Sequence, residues 1–211
     1  MNLDLFNLTN VIISGILTGL VYGLMALGLS VIFGVARVVN FAHGEMMTLA
    51  MYASVILFGA FGLNPFIAVL PIAAIFFFLG YGLQRWIVNP FVTRPEHTQF
   101  MLLLAIAIIL TNGQLIIFGP DARSVRLDSL LESIELGALL IDRGKLYAAM
   151  VALSTAAALL NFFRFTRSGT AIRACADNWH GAKVVGLHVN QLYALSFGLG
   201  SLCVAVAGSM M

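Results

Sequence analysis

Apolar residues run along this chain in blocks, and polar residues collect between the blocks instead of recurring at helical spacing within them. The largely uncharged stretches extend from about Val11 to Val35, Met46 to Ala60, Phe66 to Leu83, Phe100 to Phe118, Leu146 to Phe163 and Leu192 to Met211. All but the second approach the ~20 residues that a helix needs to cross a bilayer. The second would rise only ~22 Å at 1.5 Å per residue, short of a ~30 Å hydrocarbon layer. To cross, it has to begin earlier, inside Val39-Asn-Phe-Ala-His-Gly-Glu-Met-Met-Thr-Leu-Ala50. Gly59-Ala-Phe-Gly-Leu-Asn-Pro65 reads as a turn, with Pro65 suited to the first turn of the next helix, so the second and third spans form a tight hairpin. Stretches such as Ile106 to Leu110 and Ala152 to Leu160 do not alternate, which excludes a barrel. The pattern predicts an all-α, polytopic membrane protein with six transmembrane helices.

Composition sharpens the class. Of 211 residues, 61% are hydrophobic and only 9% charged, with a mean hydropathy of +0.99; a soluble domain carries charge on about a quarter of its residues. The net charge of +2 implies no nucleic-acid partner. The segment Met1-Asn-Leu-Asp-Leu-Phe-Asn lacks the basic region and cleavage site of a signal peptide, so the first span is expected to stay. Arg37, Arg85, Arg94, Arg164, Arg167, Arg173 and Lys183, seven of the eleven basic residues, fall in alternate loops. Those loops are expected to be cytoplasmic and the N-terminus external. The C-terminal run Leu202 to Met211 has no polar flank, and the chain is expected to be an incomplete single transmembrane domain over 1–211. Cys175 and Cys203 fall in a loop and a span, and are expected to be spectators.

Soluble-enzyme chemistry is missing from the sequence. Gly144-Lys145 lacks the preceding glycine of a phosphate-binding loop, His43-Gly-Glu45 is not a His-Glu-x-x-His helix, and no Gly-x-Ser-x-Gly occurs. The expectation is a non-enzymatic protein with no cofactor. Ion-coupled carriers keep ionisable groups inside their spans. Here only Glu45, at a helix start, qualifies, which favours an energy supply from a partner; an ion-coupled carrier and a membrane scaffold are the rival classes.

Two stretches carry candidate chemistry. In the first, a helix starting at or just after Asn40 would point its free amides and positive dipole end at the segment before it, with Asn40 as cap and Glu45 favoured by the dipole. Gly44 would allow close packing or a helix break. Asn40, His43, Gly44 and Glu45 then line or gate a pathway; the alternative is an interfacial loop meeting headgroup water. Asn112 and Gln114 read as interhelical hydrogen-bonding residues, Gly15, Gly19, Gly23, Gly28 and Gly34 as close-packing positions, and the first three as a stripe that could seat a neighbouring helix. The second stretch, Arg167 to His188, contains helix formers over Ala171 to Ala176, Asp177 or Asn178 as a cap for a short helix from Trp179 to Val185, and Gly186 as a left-handed terminator. Two readings fit it: a wedge inserted into another protein's groove, or a helix pair lying on the bilayer with Trp179 as anchor.

The run Gly19-Leu-Val-Tyr-Gly-Leu-Met-Ala-Leu-Gly-Leu-Ser-Val-Ile-Phe-Gly34, followed by Asn40-Phe-Ala-His-Gly-Glu45, closely resembles the ATP-binding-cassette permeases that import branched-chain amino acids. Arg167-Ser-Gly-Thr-Ala-Ile-Arg-Ala-Cys-Ala-Asp177 and Ala182-Lys-Val-Val-Gly-Leu187 resemble the coupling loop of that family, with His180 and Gly181 departing from the general motif. The resemblance implies a permease subunit in a bacterial inner membrane that pairs with a second homologous permease subunit. It implies ATPase subunits docked on a coupling loop over 164–190, with Arg173, Asp177, Ala182 and Gly186 in the contact, and an external solute-binding protein. It leaves the solute open, because urea and short-amide importers share the Asn-x-Ala-His-Gly pattern.

Overall fold

The computed structural model describes residues 2–92, 94–121, 123–125, 133–136 and 139–211. Its elements are α1 (Asn2–Ala36), α2 (His43–Phe61), α3 (Pro65–Gly82), α4 (Glu96–Phe118), β1 (Ser133–Leu136), β2 (Leu139–Asp142), α5 (Arg143–Phe165), α6 (Arg167–Asp177), α7 (Trp179–Val184) and α8 (Val189–Ser209). Six helices (α1 to α5 and α8) are long and apolar enough to cross a membrane, so the polytopic helical fold matches the apolar blocks. Two details were not legible in them. The antiparallel hairpin β1–β2, paired from Ser133↔Asp142 to Leu136↔Leu139, precedes α5. The third span also does not stop near Leu83: it loosens into a π-helical stretch, Leu83–Val88, and then tightens into a 3₁₀ turn, Asn89–Phe91.

The α2–α3 hairpin forms for local reasons. Gly62 takes a left-handed φ of 62° and closes α2 through its amide to the Phe58 carbonyl at 2.9 Å. The Asn64 side chain then accepts from the Phe66 amide at 3.1 Å, with Pro65 in the first turn of α3 where a missing N–H costs nothing. α2 runs two residues past Gly59, so the turn is shorter than its Gly- and Asn-rich sequence implies.

The spans are organised around α8, which packs on α1, α2, α3 and α5. It is buried over 78% of its apolar window, against at most 39% in any other span. In lipid, apolar burial between helices gains little, so close van der Waals approach has to hold them. Small residues supply it. A Cβ on Gly28 of α1 would stand 2.7 Å from the Gly200 carbonyl oxygen, one on Gly198 2.9 Å from that of Phe77, and one on Gly80 would overlap the Ser201 hydroxyl. The predicted stripe Gly15, Gly19 and Gly23 seats no helix among the described residues: nothing there lies within 4 Å of a Cβ at any of the three. Gly28, the next close-packing position, makes such a contact, because α8 crosses α1 at that height. Cys175 and Cys203 are both buried and free.

Candidate functional site

The segment between α1 and α2 does not stay at the membrane edge. Ser14 marks the height of the hairpin end of the bundle, because its hydroxyl accepts from Lys145 Nζ, in the first turn of α5, at 2.6 Å. Ala36 is the last residue of α1. Met25 lies midway between them, and its carbonyl accepts from His43 Nε2 at 3.1 Å. At 1.5 Å per residue, Met25 is ~16 Å from either end. Residues 37–42 therefore turn back alongside α1 and climb to mid-depth before α2 begins. Their side chains alternate as an extended segment requires: Val38, Asn40 and Ala42 are buried, while Val39 and Phe41 face outward. Non-helical backbone at this depth persists only inside protein or beside water. That depth disfavours the reading in which these polar groups simply meet headgroup water.

The polar residues of the stretch are wired differently from the sequence expectation. Asn40 is not the helix cap. Its Oδ1 accepts from the Ala42 amide at 3.1 Å, an Asx turn, and Ala42 precedes α2 without any side-chain cap. The local bond two residues on wins because the chain has to bend before the helix can start. Asn40 Nδ2 also faces the Met46 sulfur at 3.9 Å, which the Ser201 hydroxyl of α8 approaches at 3.8 Å. Gly44 breaks no helix and packs against nothing within 4 Å; it sits on the exposed side of a continuous first turn. Glu45 lies in that turn, favoured by the helix dipole as expected, and its carbonyl accepts from Gln114 Nε2 of α4 at 3.0 Å. Gln114 is thus the interhelical donor that was anticipated, whereas Asn112 is exposed and bonds within its own helix, to the Ile108 carbonyl.

His43 is the unusual member. A carbonyl only accepts, so the bond to Met25 fixes a proton on Nε2. Nδ1 is buried and has no partner among the described residues. An unmet buried polar atom costs about 1–3 kcal/mol, and here it lies midway along α1, where α1, α2 and α8 meet. Sequence reasoning missed two further residues. Ser201 was hidden in an apolar run, and Gln84, fully buried at the π-helical stretch with Oε1 unpartnered among the described residues, lay just beyond the predicted end of its span. A glutamine one residue past a supposed membrane exit was the available signal for Gln84.

The loop from Arg167 to His188 folds as two short helices with complete local capping. Thr166 Oγ1 accepts from the Gly169 amide at 2.9 Å to start α6, and Asn178 Oδ1 accepts from the Gly181 amide at 2.9 Å to start α7. At the far end the Leu187 amide reaches the Ala182 carbonyl at 3.0 Å and the Gly186 amide reaches Lys183 at 3.1 Å, with Gly186 at φ 87°. This is a Schellman ending, which needs the left-handed residue that glycine provides. Ala182 does not face outward as expected: it is 4% exposed, packed in a cluster with Ile172, Cys175, Tyr193 and Phe197. On a six-residue helix only one side can reach the spans, and Ala182 is on it. The outward side carries Trp179, Val184 and Val185, the last two 87% and 75% exposed, beside the exposed Arg173, Asp177 and Gly186.

Residues 11–211 match the family described as branched-chain amino acid transport system, permease component. The chain belongs to that family. Among curated relatives, the high-affinity branched-chain amino acid transport system permease proteins LivH of Escherichia coli and of Salmonella typhimurium are each 27% identical, over 94% of this chain and 68% of theirs. BraD of Pseudomonas aeruginosa, which bears the same description, is 23% identical over 99% of this chain and 72% of its own. No solved structure matches. As a member of the family this permease is a multi-pass membrane transport protein, and among its described residues no cluster of His, Cys, Asp or Glu is arranged to hold a metal.

Proposed function

We propose that this permease is the pore-forming subunit of an ATP-binding-cassette importer for branched-chain amino acids. It would sit in a bacterial inner membrane with its N-terminus external, paired with a second homologous permease subunit, fed by an external solute-binding protein and powered by separate ATPase subunits. The observation that carries the reading is the interrupted helix at mid-depth. Residues 37–42 and the start of α2 put an unpartnered His43 Nδ1, Asn40 and an uncapped helix N-terminus together in the interior of the bundle, and such breaks in spanning helices belong to pathways. Asn40, His43 and Glu45 take part through their side chains or carbonyls. Gly44 serves by leaving the outward face of the first turn clear.

Residues 164–190 are the coupling element. The apolar tip of Trp179, Val184 and Val185, flanked by Arg173 and Asp177, suits insertion into an ATPase groove. Ala182 and Gly186 act one step back, Ala182 by seating the tip on the spans and Gly186 by ending α7 so that Leu187 and His188 can lead into α8. A push on the tip then reaches α8, the helix against which α1, α2 and α3 all pack, as a rigid-body mechanism requires.

The test is leucine uptake into proteoliposomes containing the permease with its cognate ATPase, partner permease and binding protein. Uptake is expected to need both ATP and the binding protein, and uptake driven by an ion gradient without the ATPase would overturn the reading. Leucine, isoleucine and valine compete in this assay; competition by urea or short amides alone would move the solute to the other branch. Single cysteines at Ser124 and His180, both exposed, with Cys175 and Cys203 replaced, are expected to label from opposite sides of intact cells.

A further inference from the structure

A cavity of about 1250 Å³ opens beneath the spans at the end of the bundle that carries α6 and α7. Four fixed cations line it: Arg37 from the end of α1, Arg85 from the π-helical end of the third span, Arg94 from the link to α4, and Lys183 from α7. No carboxylate is among its described lining residues. Like charges gathered around one recess raise each other's energy and focus a positive potential there, so the cavity is built for an anion.

Arg37 adds an independent sign. It is the one non-glycine residue with positive φ among the described residues, at 53°, closing α1 through its amide to the Phe33 carbonyl at 2.9 Å. Glycine is the default residue at such a helix end, and a side chain there costs roughly 1–2 kcal/mol. A strained arginine where glycine would serve the fold points to use of its guanidinium.

The remaining wall selects the anion. Val35, Ala36, Val92, Leu187 and Val189 give the recess an apolar side, which a bare phosphate does not need and a glycerophosphate headgroup with the start of its acyl chains does. Arg85 lies beside Trp86, 75% exposed, and is held over the Tyr81 ring at 5.9 Å with a bond to its hydroxyl at 3.1 Å; aromatic residues of this kind mark headgroup depth. The cations line a recess instead of standing on a protruding surface, so a folded acidic partner fits it poorly. We infer that this cavity holds an anionic phospholipid, its phosphate among Arg37, Arg85, Arg94 and Lys183, bridging the α6–α7 loop to the ends of α1 and the third span.

The experiment uses the purified full chain in non-ionic detergent, with melting temperature followed as lipid is added. Phosphatidylglycerol is expected to raise it by about 3 °C or more, and phosphatidylcholine and inorganic phosphate to leave it in place. The variant Arg37→Gln/Arg85→Gln/Arg94→Gln is expected to lose the shift and to release the phospholipid that co-purifies with the parent, measured as lipid phosphorus. Should that variant not fold, Arg94→Gln/Lys183→Gln, at two exposed positions, is expected to weaken lipid retention several-fold. The site is overturned if the charge variants keep the full shift, if phosphatidylcholine matches phosphatidylglycerol, or if inorganic phosphate reproduces the effect. It is also overturned if the variants leave lipid retention intact and lose only ATPase association, the result expected of a protein-docking patch. Detergent removes sidedness from the measurement, so an error in orientation and an error in the lipid site show up separately.

Discussion

The start of α2 and the α6–α7 loop are both short polar interruptions of an oily chain, yet they are held in opposite ways. The start of α2 depends on distant partners: the Met25 carbonyl on α1, Gln114 on α4 and, through the Met46 sulfur, Ser201 on α8. The loop closes almost every backbone bond within a few residues, through Thr166, Asn178 and the Gly186 ending. The first exists only because the bundle exists. The second is capped locally and packs its inner face, Ile172, Cys175 and Ala182, on the spans. Residues of the first type are expected to be intolerant of change even where no solute is bound, while the loop's outward side should accept changes that are silent until a partner is present.

The largest effect is expected at His43. Replacing it with leucine removes the bond to Met25 and the unpartnered Nδ1 together, and uptake is expected to fall by at least about tenfold, the equivalent of ~1.4 kcal/mol on the barrier, with membrane abundance kept. A cysteine there is expected to react with small thiol reagents at a rate that depends on nucleotide. Normal uptake and nucleotide-indifferent labelling would erase the distinction between the two regions. Next comes Val184→Asp. Because Val184 is 87% exposed, melting should be unchanged, and the measurable outcome is loss of ATPase co-purification. A substitution that lowered melting instead would place the tip inside the fold.

Smaller, and confined to the loop, is Gly186→Val. A β-branched residue at φ 87° is expected to cost about 1–2 kcal/mol, seen as faster amide exchange at Leu187 and nearby positions while protection within α1 and α8 is unchanged. The smallest effect concerns Cys175. Burial pushes its thiol above the ordinary range, so less thiolate is present at a given pH than for an exposed cysteine. Alkylation of the folded protein at pH 8 should lag that of the denatured chain, and raising the pH should narrow the gap. Equal rates would show that the loop opens from the spans freely, sharpening how separate the two regions are.

How far the sequence could be read follows from the same difference. Caps and terminators are local, so Gly186, Pro65 and the choice of Asp177 or Asn178 as a cap were legible from spacing alone, as were the six apolar blocks. The depth of His43 was not, because it depends on α1 continuing to Ala36 and on residues 37–42 doubling back beside it. Nor was the inward face of Ala182, since a six-residue helix carries too few positions for a periodic pattern to declare a side. The π-helical stretch after Gly82 escaped for another reason: Leu83 to Val88 contains nothing that helix propensity distinguishes from an ordinary helix. Asn40 was read as a cap because Asn favours both caps and Asx turns, and only the chain's path chooses between them.

The hub helix α8 comes after every element packed against it, and that order governs how the protein is made. At ~5–20 residues per second of synthesis, the interval between completing the third span and completing α8 is roughly 6–25 s. Throughout it, the grooves at Gly28 and Gly80 that will receive α8 have only lipid or a neighbouring protein to fill them. The early helices are therefore inserted around an axis that stays vacant until α8 arrives and closes the contacts at Gly28 and Gly80. Any substitution that delays release of α8 from the insertion machinery would lower the yield of assembled permease without altering a single contact in the finished molecule.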